Sequence, residues 1–294
     1  MKRIFLFFIV SAFSIAIYGQ SIRIGANAND SKTNLTKLDQ ASIRCYYQFV
    51  QKDKSNQLQT DTMTLDIGIQ ISEYYDITKK RQDSLYSAYL TNKFPDPANS
   101  IQSISVLKER DAFDEDTGGD SFTTGSPKES ARLYKNRQTG EIFIIDYLSS
   151  VPDKYRFTET IRPQEWQIVA ETATILGYHC QKATATFRGR NYEAWFSPEI
   201  PVNDGPWKFF GLPGLILKVS DTEEIFSFVC VGMENLAPPR DITLEQMKYI
   251  NCSRDELATI KKKQGGEIKY FVNGGSIIIA QLKAKDDYHS LELE

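Results

Sequence analysis

Nine consecutive residues limit what this chain can fold into more than any others. Met63, Leu65, Ile67, Ile69 and Ile71 alternate with Thr64, Asp66, Gly68 and Gln70. A period of two sets the apolar side chains on one face of an extended strand and the polar ones on the other. That is the pattern of a half-buried antiparallel strand, which needs a core on one face and neighbours on its edges. Ser42–Gln51, carrying Tyr46, Tyr47, Phe49 and Val50, is its expected partner.

Short strand patterns and tight turns recur downstream. Ala131–Asn136 and Glu141–Tyr147 flank Thr139-Gly140. Lys154–Glu159, Trp166–Leu176, Tyr178–Phe187 and Tyr192–Phe196 follow, with turns at Gly177 and Gly189. Leu215–Ser220 and Ile225–Val231 flank Asp221–Glu224, and Glu267–Val272 and Ser276–Leu282 flank Asn273-Gly274-Gly275, a strong hairpin signal. Helical spacing replaces alternation over Ile77–Phe94, which Pro95 and Pro97 end. Thr243-Leu244-Glu245-Gln246 and Ser253-Arg254-Asp255-Glu256 both fit the capping box and predict two further helix starts. The expected fold is mainly β: an antiparallel curved sheet, half-barrel-like, with a few helices packed at one face or edge. Residues 20–294 are expected to form a single domain. The acidic and Gly-rich stretch around 108–130 is expected to be a mobile loop.

The N-terminus gives an address. Lys2 and Arg3 precede an apolar run from Ile4 to Ile17, and Tyr18-Gly19-Gln20 offers a small residue at a processing point. This is the layout of a secretory signal peptide over residues 1–19, with cleavage after Gly19. The run is too short to span a bilayer, and no later stretch is long and apolar enough, so the mature chain is expected to be soluble in the periplasm or outside the cell. A net charge of −3, more negative once Lys2 and Arg3 are removed, argues against a nucleic-acid partner. With 41% hydrophobic and 12% aromatic residues, the chain can bury a large core.

Chemical signatures are sparse. His179 and His289 are the only histidines, and no G-x-S-x-G or H-E-x-x-H occurs. A Cys180–His179 dyad fails because strand neighbours point to opposite faces. Asp114, Asp116 and Asp120 lack the glutamate that would complete a calcium loop, with Gly125 in its place. No metal, cofactor or catalytic residue is therefore expected. Carboxylates are plentiful, but none pairs from sequence alone. Of the four cysteines, Cys45, Cys180, Cys230 and Cys252, export permits bridging. Their spacing selects no pairing, and most read as small buried hydrophobes; a single Cys180–Cys230 bridge is the possible disulfide, since both lie on predicted strands of one segment.

Ile200–Ser220 is the unusual segment. Gly205 and Pro206 start a turn, Trp207, Phe209, Phe210 and Leu212 are bulky, and Gly211, Pro213 and Gly214 then fix a sharp chain path. Gly211-Leu212-Pro213-Gly214-Leu215-Ile216 resembles the signature of the GLPGLI family of exported proteins. Tyr192–Phe196, Ile200-Pro201 and Gly205-Pro206-Trp207 look like that family's approach to the motif, and Gly177, Cys180, Lys182 and Ala183 like its preceding hairpin. The family brings no established activity.

Three functions are open at this point. The leading one is a non-enzymatic carrier or binding module with an apolar concave face, like the half-barrels that carry lipid anchors across the periplasm. Trp207, Phe209, Phe210 and Leu212 would then line the mouth of a cavity for an apolar or lipid-like ligand, or else plug the sheet as core. The second is an accessory protein that docks on an outer-membrane partner. The third is a carboxylate-dependent envelope hydrolase.

Overall fold

The computed structural model describes residues 14–17, 20–23, 35–96, 100–110, 120–124, 131–147, 154–264, 268–282 and 289–293. In chain order the elements are β1 (Ser14–Ile17), β2 (Gln20–Arg23), β3 (Leu35–Lys52), β4 (Leu58–Ile67), β5 (Ile71–Asp76), α1 (Ile77–Lys93), β6 (Ser103–Arg110), β7 (Asp120–Thr124), β8 (Arg132–Asn136) and β9 (Glu141–Tyr147). Then come β10 (Lys154–Thr160), β11 (Gln167–Ile175), β12 (Tyr178–Phe187), β13 (Arg190–Ser197), β14 (Leu215–Asp221), β15 (Phe226–Glu245), β16 (Ile250–Asn251), α2 (Arg254–Gln264), β17 (Ile268–Asn273) and β18 (Ser276–Leu282).

Twelve strands form one curved, unclosed sheet in the order β11-β12-β13-β14-β15-β3-β4-β5-β8-β9-β10-β16. Every neighbouring pair is antiparallel except β10 and the two-residue β16. Sequence neighbours pair through short turns. Leu176-Gly177 and Arg188-Gly189 take left-handed conformations at both central positions, which matches the twist of the strands they join. A separate sheet, β6-β18-β17-β7, packs Val272, Ile277 and Ile279 on Phe94, which follows α1. The fold is the predicted one: mainly β, with a large curved antiparallel sheet and, among the described residues, two helices longer than one turn.

The inner face carries the main core, with Tyr47, Phe49, Leu65, Leu133, Phe196, Phe226 and Phe228 at 2% exposure or less. β3 and β15 are far longer than their neighbours, and their outer halves fold back. Ala41 on β3 and Ile242 on β15 pack against Tyr134 and Ile145, on the outer face of β8 and β9. The Tyr134 hydroxyl donates to the Thr243 carbonyl at 2.8 Å. The centre of the sheet is thus covered on both sides.

That cover corrects the reading of Met63–Ile71. The strand ends at Ile67, and its middle is buried on both faces, since Thr64 and Asp66 are as inaccessible as Leu65. Gly68–Gln70 form a turn instead, with Ile69 exposed at 83%. Asp39 holds that turn by accepting from the Gln70 and Ile71 amides at 2.7 and 2.8 Å. Burial works against the charge on Asp39, but those amides and that of Gln40 prevail and hold its pKa below the usual carboxylate value.

The two capping boxes part ways. At Ser253 the box forms: the Glu256 amide donates to Ser253 Oγ and the Ser253 amide to Glu256 Oε2, and α2 starts there. At Thr243 it does not. Residues Thr243–Glu245 finish β15 by pairing with Lys37, Thr36 and Leu35, so the backbone donors a helix would have satisfied are used by the ladder. In the stretch expected to be a loop, β6 runs to Arg110, and Asp120–Thr124 forms β7, which pairs with β17. The rest of that stretch, with Asp114 and Asp116, lies outside the described residues, as does most of the signal-peptide region. Within that region Ser14–Ile17 pairs with Gln20–Arg23 and, among the described residues, with no other strand.

Candidate functional site

The GLPGLI segment lies in the hollow of the sheet. Between β13 and β14 the chain turns inward and is tied down at each step. The Leu215 amide donates to the Ile200 carbonyl at 3.0 Å and the Ile216 amide to the Asp204 carbonyl at 2.9 Å. Gln164 grips the middle, donating to the Lys208 carbonyl at 3.2 Å and accepting from the Phe210 amide at 3.0 Å. Trp166 Nε1 donates to the Phe210 carbonyl at 2.9 Å. Two glycines explain the spelling of the motif. Gly211 has φ +104°, a conformation that side chains rarely adopt, and Pro163 packs where its Cβ would be. A Cβ on Gly214 would stand 2.2 Å from the Ser197 carbonyl oxygen, so no other residue fits.

Trp207, Phe209, Phe210 and Leu212 are exposed by 4%, 0%, 4% and 1% and belong to the main core cluster. Phe209 is the hub, with ring centroids of Tyr192 at 4.7 Å, Trp207 at 5.3 Å and Phe187 at 6.0 Å. Leu291, near the C-terminus, covers what remains at 1% exposure. The residual space between Phe49, Met63, Tyr74, Leu133, Trp207 and Leu291 is about 10 Å³, no more than a single water could fill.

A buried ion pair fastens the segment to the sheet. Lys135 on β8, 2% exposed, donates to Asp204 Oδ1 and to the Gly205 carbonyl. Asp204 is fully buried and also meets Arg137 Nη1 at 3.3 Å. Burial pushes the Lys135 pKa below the ordinary lysine value, against the pull of Asp204. Asp204 sits inside the unusual segment, but its partner is remote in sequence and carries no local signal.

A second polar cluster lies on the outer face under the folded-back ribbon. Asp66 on β4 stands opposite Glu73 on β5, both 1% exposed. Arg44 donates to both oxygens of Asp66, at 2.6 and 2.9 Å, and Arg240 donates to Asp66 and to the Tyr75 hydroxyl. Arg132 holds Glu73. The structure therefore brings together an acidic pair that sequence reasoning missed, because a polar residue on a strand reads as solvent-facing. Each carboxylate is already engaged by arginine.

His179 is exposed while Cys180 is buried on the opposite face of β12, as the alternation requires. The Cys180–Cys230 bridge is not formed, and the geometry forbids it. β13 and β14 lie between their strands, so three inter-strand spacings, ~14 Å along the sheet, separate them, against the ~7 Å limit for Cα atoms of a disulfide.

The two ends of the sheet differ. At one, the last strand is the two-residue β16, both residues exposed, and Leu257 of α2 packs on Tyr155 of β10. At the other, β11 has a neighbour on one side alone among the described residues. Of its nine residues Glu171 alone is charged, and Ile168, Thr172 and Thr174 are exposed. A register shift between Ile168 and Thr172 interrupts its pairing with β12, and regular register holds from Thr172 to Ile175.

A family model described as "Protein of unknown function (Porph_ging)" matches residues 188–218, the stretch from the turn before β13 through the buried segment into β14. No curated protein matches the chain. Two solved structures of PNGF-II, in space groups P21 and C2, are similar at 13% and 12% identity, each with a TM-score of 0.48. They align over 76% of this chain and 34% and 33% of theirs, so the chain spans about a third of the length of those structures.

Proposed function

We propose that this chain is an exported binding module of the GLPGLI type that takes an extended segment of an envelope partner protein onto the edge of β11 that has no neighbour among the described residues. One observation carries this reading: β11 presents a nine-residue edge with one charged side chain and no proline. Such an edge offers unpaired N–H and C=O groups to another strand, and soluble proteins usually blunt it with charge or proline. The opposite end of the sheet offers only the two-residue β16, so the two edges are unequal. The apolar concave face supports a docking module better than a carrier of apolar ligands, because Trp207, Phe209, Phe210, Leu212 and Leu291 already fill it. The N-terminal leader supports the exported assignment.

Photo-crosslinking in the native envelope tests it. A photoreactive residue at Thr172 or Thr174 should capture a defined protein, and one at exposed Leu58 should not. In the protein labelled at Thr174, Thr172→Lys should abolish that adduct without changing the melting temperature. Equal labelling from Leu58, no adduct from β11, or a stoichiometric lipid retained in native mass spectrometry would overturn the reading.

A further inference from the structure

We infer that Cys45 and Cys230 form a disulfide that staples β3 to β15 as the chain folds, the oxidant being a protein or small-molecule disulfide. The two strands are neighbours in the sheet, with Tyr47 opposite Cys230 and Cys45 opposite Met233. An irregularity between Cys230 and Gly232 draws this diagonal together, because Val231 is an extra residue that turns outward at 51% exposure. Cys45, Tyr47 and Cys230 share the inner face, and the two thiols are 0% and 2% exposed. The two thiols are near enough to perturb one another's ionisation, and Cys230 Sγ lies 3.4 Å from the Gly232 carbonyl oxygen. Neither of the other cysteines shares this arrangement. Cys180 is three strands from Cys230, and Cys252 follows β16 at the far end of the sheet.

Before the strands close, both thiols are accessible and either can supply the attacking thiolate. With Cys230 first, its sulfur displaces one thiolate from the donor disulfide and forms a mixed disulfide. Cys45 then attacks the Cys230 sulfur and releases the second thiolate. Two cysteine thiols are oxidised, the donor disulfide is reduced to two thiols, and the two protons lost by the cysteines are taken up by the departing thiolates. Burial of both sulfurs places this exchange before the strands close over them.

The test refolds the full chain with oxidised and reduced glutathione, quenches it in acid, and alkylates the unfolded protein with N-ethylmaleimide without reductant. The expected product carries two adducts rather than four, on Cys180 and Cys252, and yields a linked peptide containing Cys45 and Cys230. Reductant should lower its melting temperature, by on the order of 10 °C for so long a closed loop. The Cys45→Ala/Cys230→Ala variant should be insensitive to reductant. Four adducts on the refolded protein, or a linked peptide joining Cys180 or Cys252 to either cysteine, would overturn the inference. Should the double variant fail to fold, the adduct count and the linked peptide of the unmutated chain decide alone.

Discussion

Asp204→Ala is the sharpest probe of how the GLPGLI segment is held. In the native protein the Lys135 ammonium is 2% exposed and donates to Asp204 and the Gly205 carbonyl. The substitution leaves that cation with a single neutral acceptor and with the Arg137 guanidinium nearby, which also donates to the Gly68 and Ile69 carbonyls. Removing one partner of a buried pair costs about 3–5 kcal/mol, because the remaining charge stays desolvated. The pH dependence follows with a definite sign. Burial already holds the Lys135 pKa below its unfolded value, and Asp204 opposes that shift. Without Asp204 the folded pKa falls further, so over a wider range of pH the unfolded chain binds a proton that the folded chain does not. The variant must gain stability as pH rises towards the unfolded lysine value, by about 1.4 kcal/mol per pH unit in that interval. Urea denaturation at pH 7 and pH 9 reads both quantities. A variant within about 1 kcal/mol of the parent, against the 3–5 expected of a broken buried pair, would refute the reasoning, as would an equal deficit at both pH values.

Two further outcomes are expected. Trp207→Ala should cost about 3–5 kcal/mol in urea denaturation, since the ring is 4% exposed and packs on Phe187 and Phe209; an unchanged midpoint would show that the ring is not core. Burial pushes the Tyr75 hydroxyl up to about 12 and those of Tyr134 and Tyr192 higher still. Raised folded values give stability that is complete below the unfolded value near 10 and is lost as pH climbs through 12. An absorbance titration should therefore find these tyrosines silent until the protein unfolds, and simultaneous ionisation of all fifteen near pH 10 would contradict it.

The hairpins were legible because their information is local. Alternation and a two-residue turn specify β8–β9, β12–β13 and β17–β18 within about twenty residues each. The inward segment was legible as a fixed apolar turn, because its glycines and prolines leave few paths. What stayed hidden depends on partners far along the chain. Asp66 reads as solvent-facing because the strands that cover it include Arg240, 174 residues away. Thr243 reads as a helix start because the box is satisfied by four residues, while the ladder that overrides it comes from Leu35–Lys37. The edge of β11 that has no neighbour among the described residues is likewise invisible from sequence, since an edge is defined by which strand fails to come next.

The long ribbon of β3 and β15 has a kinetic consequence. Its pairs run from Phe226 with Gln51 to Glu245 with Leu35, separations of 175 to 210 residues. Pairing so remote must meet the entropy of closing the intervening chain before it gains any contact, which makes assembly slow and late. It cannot begin until more than three quarters of the polypeptide has been synthesised. Because both layers share these two strands, the upstream hairpins have nothing complete to pack against in the meantime. A chain organised this way stays open and threadable while it is being made, the state required of any polypeptide that crosses a membrane through a narrow pore before it folds.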